Sequence, residues 1–438
     1  MILPKDKKIV VVGAGCFGVS TAYHLLQRGY TDVSILDRST TLPASDAASN
    51  DFNRTDIELV VRSSYSDKFY TELAREAISS WKDREKWGDT YHESGVLVLG
   101  LTNASSGGTY IDDAYRNDIA LGAKIDSLGN GDAIRAVFPS GARACTNPSV
   151  FNEHRFAYIN RDGGWANAAQ GVSRLLHHVI ALKGEIFLGK TVKKLLRQNG
   201  KTTGVECSDG TVFEADLVII ATGSWTPSAF PDLDLGRICL ATGQCVAMVQ
   251  LSEKEGDDYR DCPVVLNFNS GFYVFPPNEK NIVKMAIHCA GYTHFNEVNG
   301  SISTPRTVAS DPVDGLRIPK SNLQDLRAHF RNVYPDLAEK PFVATRLCWY
   351  NDTPDEDWVI GKHPMDDGVI LATGDSGHAY KFLPIIGRLV ADLVEDKLNQ
   401  KLVAKFAVDR EVANAGPSRS GQAAPLDLKE LYNPEDLL

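Results

Sequence analysis

Three glycines near the start of the chain, together with one aspartate, are the first residues whose spacing can do chemistry. Gly13-Ala14-Gly15-Cys16-Phe17-Gly18 follows a β-branched run, Lys8 to Val12. It precedes Val19 to Arg28, where Ala22, Leu25 and Leu26 recur at helical spacing and Gly29 supplies a stop. A second apolar run, Val33 to Leu36, ends in Asp37, nineteen residues after Gly18. In such a strand–turn–helix–strand unit Gly13 permits the tight turn and Gly15 lets the backbone approach a pyrophosphate. Gly18 lets the helix pack closely on the strand, and the free N–H groups at the helix start face the phosphates. An acid at position 37 can accept both ribose hydroxyls and repels a 2′-phosphate, which disfavours NADP. These residues predict dinucleotide binding and leave FAD and NAD equally open.

The eight cysteines, at 16, 145, 207, 239, 245, 262, 289 and 348, form no CxxC pair and no zinc-type grouping with histidine. No metal site is expected. Lys284 and His288 stand four apart in a β-like run, so the period of two puts them on one strand face.

Several elements must position these groups. Val192 to Leu196, Gly204 to Cys207 and Thr211 to Phe213, with Ser208-Asp209-Gly210 as a turn, read as strands of a hairpin. Ala215 to Gly223 and Val369 to Gly374 are buried strands, each ending in Ala-Thr-Gly, whose C-terminal ends are expected at a ligand crevice. Between them, Gln244 to Leu251 and Pro263 to Phe275 are strand-rich and aromatic, pointing to a mixed or antiparallel sheet. Ser321 to Tyr334 is an amphipathic helix with Leu323, Leu326 and Phe330 on one face. The fold class is therefore α/β, a discontinuous Rossmann-like dinucleotide domain plus a substrate domain. The expected boundaries are 1–88, 150–226 and 344–412 for the first and 89–149 and 227–343 for the second, with 413–438 as a C-terminal arm over the surface.

The 438 residues, 43% hydrophobic and 23% charged, have ordinary globular composition. A net charge of −10 disfavours nucleic acid as a partner, and no apolar run is long enough for a membrane span. The ends show neither a signal peptide nor a Ser-Lys-Leu address, so cytoplasmic placement is expected, with the peroxisome as the alternative.

Longer motifs carry a resemblance. Arg346-Leu347-Cys348-Trp349-Tyr350, the stretch Thr353 to Gly361, and Gly374-Asp375-Ser376-Gly377-His378-Ala379-Tyr380-Lys381 leading to Pro384 and Gly387 are its most specific pieces. Ser49-Asn50-Asp51, Gly163-Gly164-Trp165, and Tyr273 to Glu279 leading to Lys284 add to it. Over about residues 5–410 the chain resembles the monomeric sarcosine oxidase, pipecolate oxidase, saccharopine oxidase and fructosyl amino acid oxidase (amadoriase) group. The resemblance implies FAD, oxidation of a secondary amine to an imine with O₂ as acceptor, hydrogen peroxide as second product, and a monomer.

It also implies roles. Cys348 matches the cysteine linked covalently to the flavin. Arg62 and Lys381 match the ligands of the substrate carboxylate, with Tyr273 beside them; a guanidinium suits this because it stays charged and makes paired hydrogen bonds. Lys284 matches the lysine that stabilises the negative charge developing as O₂ is reduced, and His288 a substrate-side histidine. FAD contacts are implied for Gly13, Gly15, Cys16, Phe17, Gly18, Asp37, Arg38, Ser49, Asn50, Asp51, Arg54, Val192, Gly223, Trp225, Asp375, Ser376, Gly377, His378 and Lys381. Gly374 to Ser376 is expected to start a helix aimed at the flavin.

Three departures matter. His288 stands where amadoriases resemble an acid, and Tyr350 where they resemble a cysteine; both lean toward sarcosine-, pipecolate- or saccharopine-like substrates, or a specialised N-alkyl amino acid. Thr55 to Leu59 is an apparent insertion between Arg54 and Arg62. The alternatives are a fructosyl amino acid oxidase, a flavin-binding protein without oxidase activity, and a nicotinamide-dependent dehydrogenase.

Overall fold

The computed structural model describes residues 3–43, 58–100, 110–144, 156–412 and 421–438. Its organising element is a six-stranded sheet in the order Val359–His363, Asp366–Thr373, Leu217–Ile220, Ile9–Val12, Val33–Leu36, Glu185–Phe187. The last five are parallel to one another. The first is an antiparallel edge strand. Four-residue runs such as Ile9–Val12 are buried on both faces, which is why they read as unbroken apolar stretches and not as alternation.

Alternate residues feed two cores. Ile9, Val11, Ile35 and Ile219 pack with the helices Cys16–Gln27, Ala168–Ala181 and Ile386–Val394. Val10, Val12, Leu36 and Val218 pack with a three-stranded antiparallel meander, Val192–Gln198, Lys201–Cys207 and Val212–Glu214. The two Ala-Thr-Gly strands, some 150 residues apart in sequence, are direct neighbours, with Ile220 beside Leu371.

A second, ten-stranded mixed sheet stands beside this layer. Its long members are Leu240–Gln250 and Phe342–Asp352, antiparallel from Leu240↔Asp352 to Val249↔Phe342. Ile282–Ile287 pairs with Leu240–Gln250 on its other side. One face carries Val283, Met285, Leu347 and Trp349 against the helix Lys320–Val333, through Leu323, Leu326 and Phe330. The other carries Val246, Met248, Tyr273, Ala286, Cys348 and Tyr350. Residues 421–438 lie on the helix side: the Thr345 hydroxyl donates to the Tyr432 Oη at 2.9 Å, and Lys320 pairs with Asp436 at 2.6 Å.

A small sheet of Glu58–Val61, Gly164–Asn167 and Tyr91–His92 bridges the two layers. Among the described residues no closed barrel forms. Among the described residues no helix is long and apolar enough to cross a membrane, and no cluster could hold a metal ion. All seven described cysteines are free thiols.

One expected element is absent. Gly374 to Ser376 does not start a helix: Gly374, Ser376 and Gly377 have φ of +70°, +44° and +70°, which bends the chain sharply. Asp375 Oδ1 accepts the Asn351 and Gly377 N–H groups, tying this bend to the strand that carries Cys348. The nearest α-helix begins at Ile386.

Candidate active site

A cavity of about 1270 Å³ runs between the two sheets from the glycine turn to the mixed sheet. At one end the strand Ile9–Val12 gives way to Gly13, with φ +107° and a position where any Cβ would lie 2.4 Å from the Ala221 carbonyl oxygen. A Cβ on Gly18 would fall 1.9 Å from the Gly13 oxygen, so this glycine lets the helix sit against the turn. Gly15 differs: its backbone is extended, at φ −83°, and a Cβ there would meet nothing within 4 Å. The fold itself does not require glycine at 15. Open space at that position, at the unsatisfied N-terminus of the helix Cys16–Gln27, fits a phosphate group approaching the backbone.

Asp37 lines the same end. Its Oδ2 accepts the Ala14 N–H and its Oδ1 the Ser39 N–H, both at 2.8 Å, which fixes the carboxylate beside the turn. The Arg38 guanidinium lies 4.1 Å from the Trp225 ring centroid. Gly15, Cys16, Phe17, Arg38, Val192, Gly223 and Trp225 all line this end of the cavity. Asp375, Ser376, Gly377, His378 and Lys381 line it too, where the bend after the second Ala-Thr-Gly strand meets the glycine helix. Ser49, Asn50, Asp51 and Arg54 lie outside the described residues.

The mixed sheet walls the other end with Tyr273, His288, Cys348 and Tyr350. Cys348 is buried. Burial raises its thiol above the usual range, opposed by the positive charges of Arg346 and Lys284. Lys284 shares this sheet face but sits beneath the cavity wall and does not line it. It is 1% exposed, donates from Nζ to the Glu58 carbonyl, and lies 4.9 Å from the Phe275 ring centroid. Burial lifts the Glu58 carboxyl to about 7, with Lys284 pulling in the opposite direction. His288 lies just past the strand end, its N–H donating to Gly271 at 2.8 Å.

Arg62 and Lys381, more than 300 positions apart in sequence, meet over one ring. The Arg62 guanidinium lies 4.6 Å from the Tyr65 ring centroid and donates to the Ser64 carbonyl. Lys381, 6% exposed, donates to the Tyr65 hydroxyl at 2.7 Å and to the His378 carbonyl at 2.8 Å. The same hydroxyl is 3.2 Å from His378 Nδ1. Burial and the nearby Arg62 charge pull the Lys381 ammonium well below its usual range, with Cys16 opposing. Tyr65, the hub of this cluster, had no functional reading from sequence; nothing in its local pattern separates it from a core tyrosine.

A glycine turn opening onto a long cavity, an acid at the second strand and two basic side chains meeting over Tyr65 in the cavity wall have the form of a dinucleotide-dependent oxidoreductase site. Residues 8–393 match the FAD dependent oxidoreductase family, and the chain belongs to that family. It is 30% identical to an L-saccharopine oxidase of Schizosaccharomyces pombe over 412 residues, 90% of this chain and 92% of the relative. It is 25% identical to the peroxisomal sarcosine oxidase of Mus musculus, covering 88% and 91%. Among solved structures, the fructosyl peptide oxidase from E. terrenum superposes with a TM-score of 0.83 at 28% identity, over 98% of both chains. The protein is thus an FAD-dependent amine oxidase of the kind that acts on CH–NH groups.

Proposed function

We propose that the protein oxidises the C–N bond of an N-substituted amino acid, held by its carboxylate between Arg62 and Lys381. The convergence of these two basic side chains on Tyr65, inside the cavity that Gly15 also lines, carries the reading. Arg62 and Lys381, both against the Tyr65 ring, can grip one carboxylate between them, and the guanidinium fixes its orientation. With the carboxylate there, Tyr273, Tyr350 and His288 flank the N-substituent, the aromatic faces giving apolar contact and the imidazole a polar one. Lys284 supplies positive charge from behind this wall.

FAD, when bound, supplies the two-electron oxidation of the amine and passes the electrons to O₂, giving hydrogen peroxide. The residues fit it: Gly15 leaves open space at a helix N-terminus, Asp37 stands at the second strand, and the Cys348 thiol faces the cavity. Covalent attachment through Cys348 belongs to this proposal, as does the monomeric state. Water then hydrolyses the released imine to a carbonyl and an amine.

The likeness to fructosyl peptide oxidases favours one second reading, an amadoriase. Hydrogen peroxide release in air across sarcosine, L-pipecolate, L-saccharopine, L-proline, N-methyl aromatic amino acids and fructosyl-valine separates them. The expected result is strong turnover of one non-glycated amine. Turnover confined to fructosyl-valine would move the protein to the second reading, and silence on every amine would contradict both.

A further inference from the structure

Lys381 is buried in an unusual setting. Nζ donates to a tyrosine hydroxyl and a backbone carbonyl, and among the described residues no carboxylate comes within ion-pair distance of it. The groups that face it come from several elements: Arg62 and Tyr65 after the strand Glu58–Val61, Cys16 at the start of the glycine helix, and His378 on its own loop. Tyr110 and Glu356 lie around Tyr65, and Asp375 faces Cys16. The Arg62 cation, on the same Tyr65 ring as Lys381, disfavours a second positive charge there. A carboxylate delivered between the two reverses that balance and favours protonation of Nζ.

An amino acid substrate presents the complementary problem. It arrives near neutral pH as a zwitterion, and its ammonium nitrogen has no lone pair with which to form the C=N bond of the imine. One proton must leave that nitrogen before oxidation.

We propose that Lys381 accepts this proton when the substrate binds, so that the zwitterion becomes a neutral amine whose carboxylate sits between Arg62 and a charged Lys381. One N–H bond of the substrate breaks and one N–H bond of Lys381 forms, with no electron transfer and no exchange with solvent. The transfer rests on the carboxylate-binding reading of Arg62 and Lys381. It assigns Lys381 a second task beyond holding the carboxylate.

Binding calorimetry of the holoenzyme at about pH 8, in two buffers of different protonation enthalpy, counts the protons exchanged. Acetate offers the carboxylate alone, so it should draw a proton from solution, approaching one per site. Glycine, at concentrations that displace acetate, carries its own proton and should bind with little net uptake. Lys381→Arg, permanently charged, should bind acetate without uptake. Equal uptake with acetate and glycine, acetate binding without uptake, or uptake that survives in Lys381→Arg would each overturn the transfer. Failure of saturating acetate to bind or to perturb the flavin spectrum of the wild-type enzyme would instead overturn the carboxylate site. The wild-type contrast decides the matter even if the variant does not fold.

Discussion

The glycines of the turn make separable predictions. At Gly15 the backbone is already in a conformation that alanine adopts, and the added methyl would meet nothing within 4 Å. Gly15→Ala should therefore leave the flavin-free fold within about 0.5 kcal/mol of wild type, or stabilise it slightly by restricting the unfolded chain. The same methyl occupies the space into which a pyrophosphate must come, so FAD should bind at least tenfold more weakly, a loss of about 1.4 kcal/mol or more. Gly18→Ala should behave in the opposite way. Its methyl would sit 1.9 Å from the Gly13 carbonyl oxygen, and forcing helix and turn apart costs about 1–3 kcal/mol of fold stability before any ligand is considered. Both are measured in a Cys348→Ala background, which keeps flavin binding reversible, by thermal unfolding of the flavin-free proteins and by titration with FAD. A Gly15→Ala protein that binds FAD as wild type does, or that unfolds as readily as Gly18→Ala, would refute the assignment of this turn to the pyrophosphate.

Three other changes probe the rest of the site and the frame. Lys284→Met should slow reoxidation of the reduced enzyme by O₂ about 10²–10³-fold while leaving anaerobic reduction by the amine nearly unchanged, because the charge lost is buried behind the cavity wall. Stopped-flow measurement of both halves checks this, and equal loss in both would remove the oxygen role. Cys348→Ser should release its flavin on denaturation where the wild type retains it, as counted by flavin fluorescence in the precipitated and soluble fractions. Glu395 tests the frame: burial raises its carboxyl, but hydrogen bonds from Lys397 and Lys5 and the Arg28 charge outweigh this and hold it at about 2. Its stabilising contribution is present above the ordinary glutamate range and is lost as pH falls toward 2. Glu395→Gln should therefore lower the unfolding midpoint at pH 7, with the difference from wild type shrinking through pH 4 and nearly gone by pH 2.

What could be read in advance was local. Gly13, Gly15, Gly18 and Asp37 lie within one strand–turn–helix–strand unit, whose geometry the sequence spacing alone sets. The two Ala-Thr-Gly strands are legible for the same reason, because strands buried on both faces are continuously apolar. The helix Lys320–Val333 shows its periodic apolar face in the sequence as well. Non-local geometry was not legible. Only the fold brings Arg62 over the ring whose hydroxyl accepts from Lys381, and Tyr65 between them looks like any buried tyrosine until both cations are placed. Lys284 and His288 share a face, as the period of two requires. That Lys284 lies behind the cavity wall while His288 lines it depends on Glu58–Val61, a strand of a different sheet that meets Lys284 there. The helix expected at Gly374 fails for a backbone reason: Ser376 takes a positive φ that its side chain does not advertise, held there by Asp375 against Asn351.

The central claim is that this cavity couples an amine to O₂ through its flavin. It is tested most directly by mixing the purified holoenzyme with the best amine of the panel in the absence of oxygen, then admitting air. The account predicts that the absorbance of the oxidised flavin bleaches fully without oxygen and returns in air, with about one hydrogen peroxide formed per flavin. A flavin that stays oxidised with every amine, or bleaches but fails to yield peroxide when air enters, would contradict it.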